Sequence, residues 1–287
     1  MSIILENVHF IYQSEAVEAV QALKNINVII NEGEFVGIIG HTGSGKSTLV
    51  QHFNGLLKPT TGTVSIDGLV TTERKIALRE IRKKVGLVFQ YPEHQLFEET
   101  VFADIAFGPR NLGLTSAQVE QRVKKALQMV QLPLEKYAQL SPFNLSGGEK
   151  RRVAIAGVLA LEPKYLILDE PTAGLDPRGR DEILRQIRAL HQAGITVILV
   201  SHSMDDVARL TERLLVMHQG TIIFDEPTRQ VFAYYEQLRK IGLDIPTVAK
   251  LMYELHRRGW SIRQDLFTVE EAYREILRIW KEEKTYA

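Results

Sequence analysis

The sequence predicts an α/β protein organised around a parallel sheet, and three observations carry that expectation. Phe35–Ile39 is a short, unbroken apolar run of the kind buried on both faces of a sheet. It passes through a glycine-rich loop directly into a helical pattern. Residues 165–168 and Thr196–Val200 are two further apolar runs, with a helical pattern over 180–192 between them. Strand, helix, strand in that order indicates a parallel crossover.

The remaining elements follow along the chain. Residues 3–39 read as β-rich, with the turn signal Asn31-Glu32-Gly33 separating two apolar runs. Further strands are expected at 63–66 and 85–89. From about residue 100 to 162 the pattern is helical. Val119, Val123, Ala126, Leu127 and Val130 keep helical spacing, and Thr115 with Gln118 forms a capping-box pattern. This segment reads as a helical insertion between strands of a larger sheet. Past Gly220 the pattern is again helical. Val248, Leu251, Met252 and Leu255 share one stripe, and Thr268 with Glu271 opens a last helix carrying Val269, Ala272, Ile276 and Trp280 on one side. Residues from about 222 onward read as a small helical appendage.

Composition sets the outer limits. A chain of 287 residues accommodates one large domain with an appendage and buries a substantial core. Its 35 basic residues balance 35 acidic ones, which argues against a generally basic nucleic-acid binder. With no cysteine, disulfides, thiolate catalysis and cysteine zinc sites are excluded. The longest strongly apolar stretch, residues 153–161, is far shorter than the roughly 20 residues of a spanning helix. No basic region precedes an apolar run at the N-terminus, so a soluble, intracellular protein is expected.

Three motifs carry chemistry. Gly40-His41-Thr42-Gly43-Ser44-Gly45-Lys46-Ser47, continued by Thr48, matches G-x-x-x-x-G-K-[ST] between a strand and a helix. Such a loop turns backbone N–H groups and the positive end of a helix dipole toward phosphates. Lys46 reaches the β- and γ-phosphates, and the Ser47 hydroxyl ligates Mg²⁺. Residues 165–168 run into Asp169 and Glu170. Successive strand residues point to opposite faces, so these carboxylates are expected to do different work: Asp169 in the metal shell, Glu170 orienting an attacking water. Ser146-Gly147-Gly148-Glu149 opens a helical stretch; taken alone it is an N-cap with flexible glycines, but it stands 23 residues before Asp169.

With these motifs in order, the chain resembles the ATP-binding-cassette (ABC) ATPases over about residues 3–225. Lys46 lies in the family's Walker A loop, Gln90 matches its Q-loop glutamine, and Ser146-Gly147-Gly148 match its signature. Asp169 and Glu170 match Walker B, Ala173-Gly174-Leu175-Asp176 the D-loop, and His202 the switch histidine. Tyr12 falls where the family stacks an aromatic ring on adenine. Glu149 stands where a glutamine is commoner. The resemblance implies a P-loop NTPase fold with a RecA-like parallel-sheet core and an antiparallel β subdomain within residues 1–222. It also implies a helical subdomain at about 97–162 and a C-terminal helical dimerisation extension over 223–287. It implies ATP and Mg²⁺ as ligands, with Ser47, Gln90 and Asp169 at the metal. Glu170, His202, Gln90 and Lys46 would be catalytic, and Asp176 would act across a dimer.

A narrower resemblance lies in the run from Phe89-Gln90-Tyr91-Pro92-Glu93 to Thr100-Val101, and in Phe107-Gly108-Pro109. It is similar to the ATPase component of energy-coupling factor (ECF) transporters, importers of vitamins and transition-metal ions. The phosphate loop followed by Gln51-His52-Phe53-Asn54 is closer to the second of their two ATPase paralogues. This implies a head-to-tail pair with a paralogous second ATPase, a transmembrane scaffold (EcfT-like) and substrate-binding membrane subunits, with no nucleic acid. The chain would sit peripherally at the cytoplasmic face of the cell membrane. Glu93, Glu98 and Glu99 are expected to help line an acidic groove for arginine-bearing helices of the scaffold. Two other readings compete. A soluble ABC ATPase acting on DNA or ribosomes would carry a coiled-coil insertion or tandem cassettes, and neither is present in this sequence. A regulatory module without turnover would not need Glu170 and His202.

Overall fold

The computed structural model describes residues 1–14, 17–73 and 78–285. Its strands, in chain order, are β1 (Ser2–Ser14), β2 (Val17–Asn31), β3 (Phe35–Ile39), β4 (Thr61–Ile66), β5 (Leu69–Val70), β6 (Val85–Val88), β7 (Tyr165–Asp169), β8 (Thr196–Val200), β9 (Arg213–His218) and β10 (Thr221–Pro227). They form two sheets. One is antiparallel, in the order β2-β1-β4-β5; the other runs β10-β9-β3-β8-β7-β6 and is parallel except for β10.

The unbroken apolar runs become the interior of the larger sheet, and every residue of β3, β6, β7 and β8 is buried. Alternation then assigns side chains to two cores. Tyr165, Ile167, Ile198 and Val200 face the antiparallel sheet and the helix Lys46–Phe53. Leu166, Leu168, Val197 and Leu199 face the helical insertion. That insertion contains the helices Val101–Asn111, Ser116–Met129 and Gly147–Leu159, together with the short helix Leu134–Tyr137. Thr115 and Gln118 close the expected capping box. The two sheets are also tied by Asp67, whose buried carboxylate accepts from Tyr165 Oη at 2.8 Å and Lys84 Nζ at 2.9 Å.

Two features differ from the sequence reading. The polar–apolar run Thr221–Pro227 is a strand and not the start of a helical tail, so it crosses the boundary expected at 222/223. A two-residue turn at Gln219 (φ 47°) and Gly220 (φ 83°) folds it back on β9, and pairing at the sheet edge outweighs local helical preference. The tail also shares a core with the sheet: Val231, Phe232, Tyr235 and Leu238 pack with Ile39, Val207, Leu214 and Val216. Only farther out does it form a core of its own, from Met252, Ile262, Leu266, Ala272 and Ile279. Thr268 and Glu271 cap the last helix as expected. Leu251, Val269 and Trp280, placed on the apolar stripes by spacing, are half-exposed or more.

Candidate active site

The phosphate loop leaves β3 at Ile39 and enters the helix Lys46–Phe53. Two of its glycines are sterically required. A Cβ on Gly40 would lie 2.4 Å from the Met217 carbonyl oxygen, and one on Gly45 (φ 102°) would lie 2.7 Å from the Ala22 carbonyl oxygen. The loop is thereby pressed between β9 and β2. Lys46 folds over it, donating from Nζ to the carbonyls of Gly40 (2.7 Å) and His41 (3.0 Å). Burial pushes the lysine pKa down, while Glu170 and Asp169 oppose that shift.

β7 brings its carboxylates to the same place. Ser47 Oγ donates to Asp169 Oδ2 at 3.0 Å. This joins two hard oxygen donors, the chemistry of a Mg²⁺ shell that keeps water and phosphate oxygens as its other ligands. The fit rests on that donor pair; no cluster of three or more metal-binding side chains occurs among the described residues. Glu170 leaves the strand in the left-handed region, at φ 51°, with its N–H donating to Val200 O. Strand alternation would separate the two acids, but this turn brings both to one cleft. Glu170 Oε1 is buried without a hydrogen-bond partner, and His202 Nε2 lies 3.4 Å from it. Burial, reinforced by Asp169 and opposed by the His202 backbone N–H, raises the Glu170 pKa to about 7. Burial and then Lys46 lower that of His202, which favours the neutral imidazole.

The cleft encloses about 680 Å³ and is lined by Tyr12, Thr42, Gly43, Gly45, Lys46, Ser47, Thr48, Gln90, Asp169, Glu170 and His202. Tyr12 Oη and Thr48 Oγ1 are 3.2 Å apart, joining the first strand to the loop helix. Gly40, His41 and Ser44, expected at the phosphates, are not on its wall. Gly40 and Ser44 are buried, Ser44 Oγ has no partner, and the His41 ring turns edge-on to His218. Residues missed from the sequence complete the wall: Val20, Gln21, Ala22 and Lys24 of β2, with Gln219 and Gly220. The Gln-Gly turn was a readable signal for the last two; periodicity offered none for β2.

Ser146, Gly147, Gly148 and Asp176 lie outside the cleft. Ser146 and Gly147 are exposed, and Ser146 caps the helix Gly147–Leu159. The Glu149 carboxylate accepts from Ser146 N (2.9 Å), Ser146 Oγ (2.7 Å) and Tyr137 Oη (2.7 Å). Hydrogen bonds from Tyr137 and then Ser146 hold its pKa at about 2. Exposed Asp176 caps the helix Pro177–Gln192 through Gly179 N. The acidic groove expectation needs a correction at Glu93. Its carboxylate is gripped by buried Arg151 and is not a free acid for a partner's arginine.

A phosphate loop, a Ser–Asp oxygen pair and a Glu–His pair on this sheet define a nucleoside-triphosphate-hydrolysing cassette. The family model described as ABC transporter matches residues 23–173. The energy-coupling factor transporter ATP-binding protein EcfA2 of Clostridium perfringens is 55% identical over 280 residues, covering 97% of this chain and 98% of its own length. The structure of cbiO1 from Clostridium perfringens, described as part of the ABC transporter complex cbiONQ, superposes with a TM-score of 0.73 at 39% identity, over 88% of this chain and 98% of that one. The cassette MJ0796, dimeric in a post-hydrolysis state with ADP and Pi, gives a TM-score of 0.70 at 33% identity, over 79% of this chain and 98% of its own. The chain belongs to the ABC transporter family, among the ATP-binding cassette ATPases of energy-coupling factor transporters. Its fold is the one the motifs predict. No helix among the described residues is long and apolar enough to cross a membrane.

Proposed function

We propose that this ATPase energises an importer of vitamins or transition-metal ions, as one of two paralogous cassettes docked head to tail beneath a separate membrane scaffold and its substrate-binding subunits. One observation carries the pairing. The cleft holds the loop, the carboxylates and His202, while the anion-binding helix end at Ser146-Gly147-Gly148 is outside it and exposed. That second anion site is useful when it closes on another chain's γ-phosphate. The dimer with ADP and Pi described for MJ0796, and the place of cbiO1 in cbiONQ, support the reading.

In this mechanism Tyr12 stacks on adenine, and the loop amides with Lys46 hold the phosphates. Ser47, Asp169 and Gln90 would hold Mg²⁺, which supplies charge neutralisation at the β- and γ-phosphates. Glu170 accepts the proton of the attacking water, and His202 steadies Glu170 and the γ-phosphate. Asp176 acts across the pair. The tail from residue 228 extends the contact between cassettes, with the half-exposed Leu251, Val269 and Trp280 on its surface. Phosphate release removes contacts between the cassettes, which then open and move the scaffold.

Purification of the tagged chain from a detergent extract tests the assembly. A second cassette and a strongly apolar chain are expected to co-purify and to stimulate ATP hydrolysis. Recovery with ribosomes or DNA alone would favour the non-transport reading.

A further inference from the structure

Arg151 has no role in the mechanism above, yet it heads the largest side chains fully withdrawn from solvent, at 1% exposure. A guanidinium stays charged at any accessible pH, so it tolerates burial only when its N–H groups find acceptors. Here Nε and one terminal nitrogen grip both carboxylate oxygens of Glu93, at 3.1 and 2.8 Å. The other terminal nitrogen donates to the backbone carbonyls of Pro171 (3.0 Å) and Ala173 (2.7 Å).

These contacts join three segments that are distant in sequence. Arg151 itself is in the helix that Ser146 caps. Glu93 is three residues beyond Gln90, in the short turn Pro92–Gln95 that Tyr91 enters at φ 54°. Pro171 and Ala173 belong to the loop from Glu170 to Asp176, and Ala173 N closes that loop by donating to Glu170 O at 3.1 Å. One rigid, planar group therefore spans the turn after Gln90 and the turn that aims Glu170.

We propose that Arg151 is a positioning residue: through its fork the segment after Gln90 and the Glu170–Asp176 loop move as one body with the Ser146 helix. The inference rests on the catalytic reading of Glu170 given above. A lysine would keep the charge but not the fork, since a single ammonium does not satisfy two carboxylate oxygens and two carbonyls in one plane.

The test uses Arg151→Lys, Glu93→Gln and the double variant in the full chain. ATP affinity is expected to stay within about threefold of wild type, because the phosphate loop is untouched, while kcat falls about 10- to 100-fold in R151K through misplacement of Glu170. Glu93→Gln is expected to fall less, and the double variant to match R151K, as for residues sharing one interaction. Hydrogen exchange supplies a readout independent of turnover. In E93Q, exchange at the amides of residues 172–176 is expected to rise, because the Glu93 side chain holds Arg151, which in turn holds that loop. Unchanged kcat in folded R151K, or a loss that tracks ATP affinity and melting temperature together, would overturn the proposal. If R151K does not fold, E93Q decides by the same measurements. Were the wild-type chain to show no turnover even in its co-purified assembly, the catalytic reading would fail, and unchanged exchange at the amides of residues 172–176 in E93Q would separately sink the joint.

Discussion

Glu170→Gln is expected to bind ATP as well as the wild type or better, and to lose about 10²- to 10⁴-fold in turnover, the usual contribution of a positioned general base. Glutamine keeps the shape of the side chain and its place beside His202 but accepts no proton from water. Binding survives because the substitution removes a negative charge from a cleft that must admit a polyanion beside Asp169. Phosphate release and nucleotide affinity, measured on one preparation, separate the two effects. Turnover near the wild-type rate would remove Glu170 from the chemistry.

The same carboxyl sets a pH dependence. Burial raises its pKa to about 7, so in the free protein a sizeable fraction is protonated at neutrality. The ionised form is the base; kcat/KM is therefore expected to climb as pH rises through 7 and to level off above it. Lys46 opposes this shift, but burial outweighs it. The residual activity of Glu170→Gln should lack this inflection. A wild-type profile that is flat between pH 6 and 8 would show that a step other than proton transfer governs the rate.

Much of this site was legible in the sequence because its chemistry is local. The loop from Gly40 to Ser47 is contiguous, its strand is an apolar run, and Asp169 and Glu170 terminate another. Ser146 with Glu149, and Thr115 with Gln118, are caps that close within four residues. What was not legible depends on contacts between distant segments. Nothing near Ala22 in sequence shows that its carbonyl will press against Gly45, because that contact exists only once the two sheets meet. Glu93 read as a surface acid because its partner, Arg151, is 58 residues away. The separation of Asp169 from Glu170 was expected from strand alternation, and a single left-handed residue cancels it. The tail shows the limit of periodicity in another way. Spacing placed Leu251 and Met252 on one stripe, but the tail's own core takes in Met252 and leaves Leu251 half-exposed.

Lys46→Ala is expected to weaken ATP binding by about 10²- to 10³-fold and to abolish measurable turnover at ordinary nucleotide concentrations. Lys46 is 6% exposed and its ammonium is aimed by the Gly40 and His41 carbonyls, so little ordering is left for the moment of binding. A unit charge pair about 4 Å apart is worth about 4 kcal/mol at an effective dielectric of 20. Desolvation of the phosphates offsets part of this, and each remaining 1.4 kcal/mol is about a factor of ten in affinity. The loss is compounded by what stays behind. Lys46 is also the counter-charge to Asp169 and Glu170, whose ionised forms it favours. Without it both acids hold protons more tightly, so the base is impaired together with the binding site. The two substitutions should therefore differ in kind: Glu170→Gln loses turnover with ATP retained, whereas Lys46→Ala loses both. Titration of each with a fluorescent ATP analogue, followed by phosphate release at saturating ATP, distinguishes them. Wild-type affinity in a folded Lys46→Ala variant would contradict the placement of the phosphates on this loop.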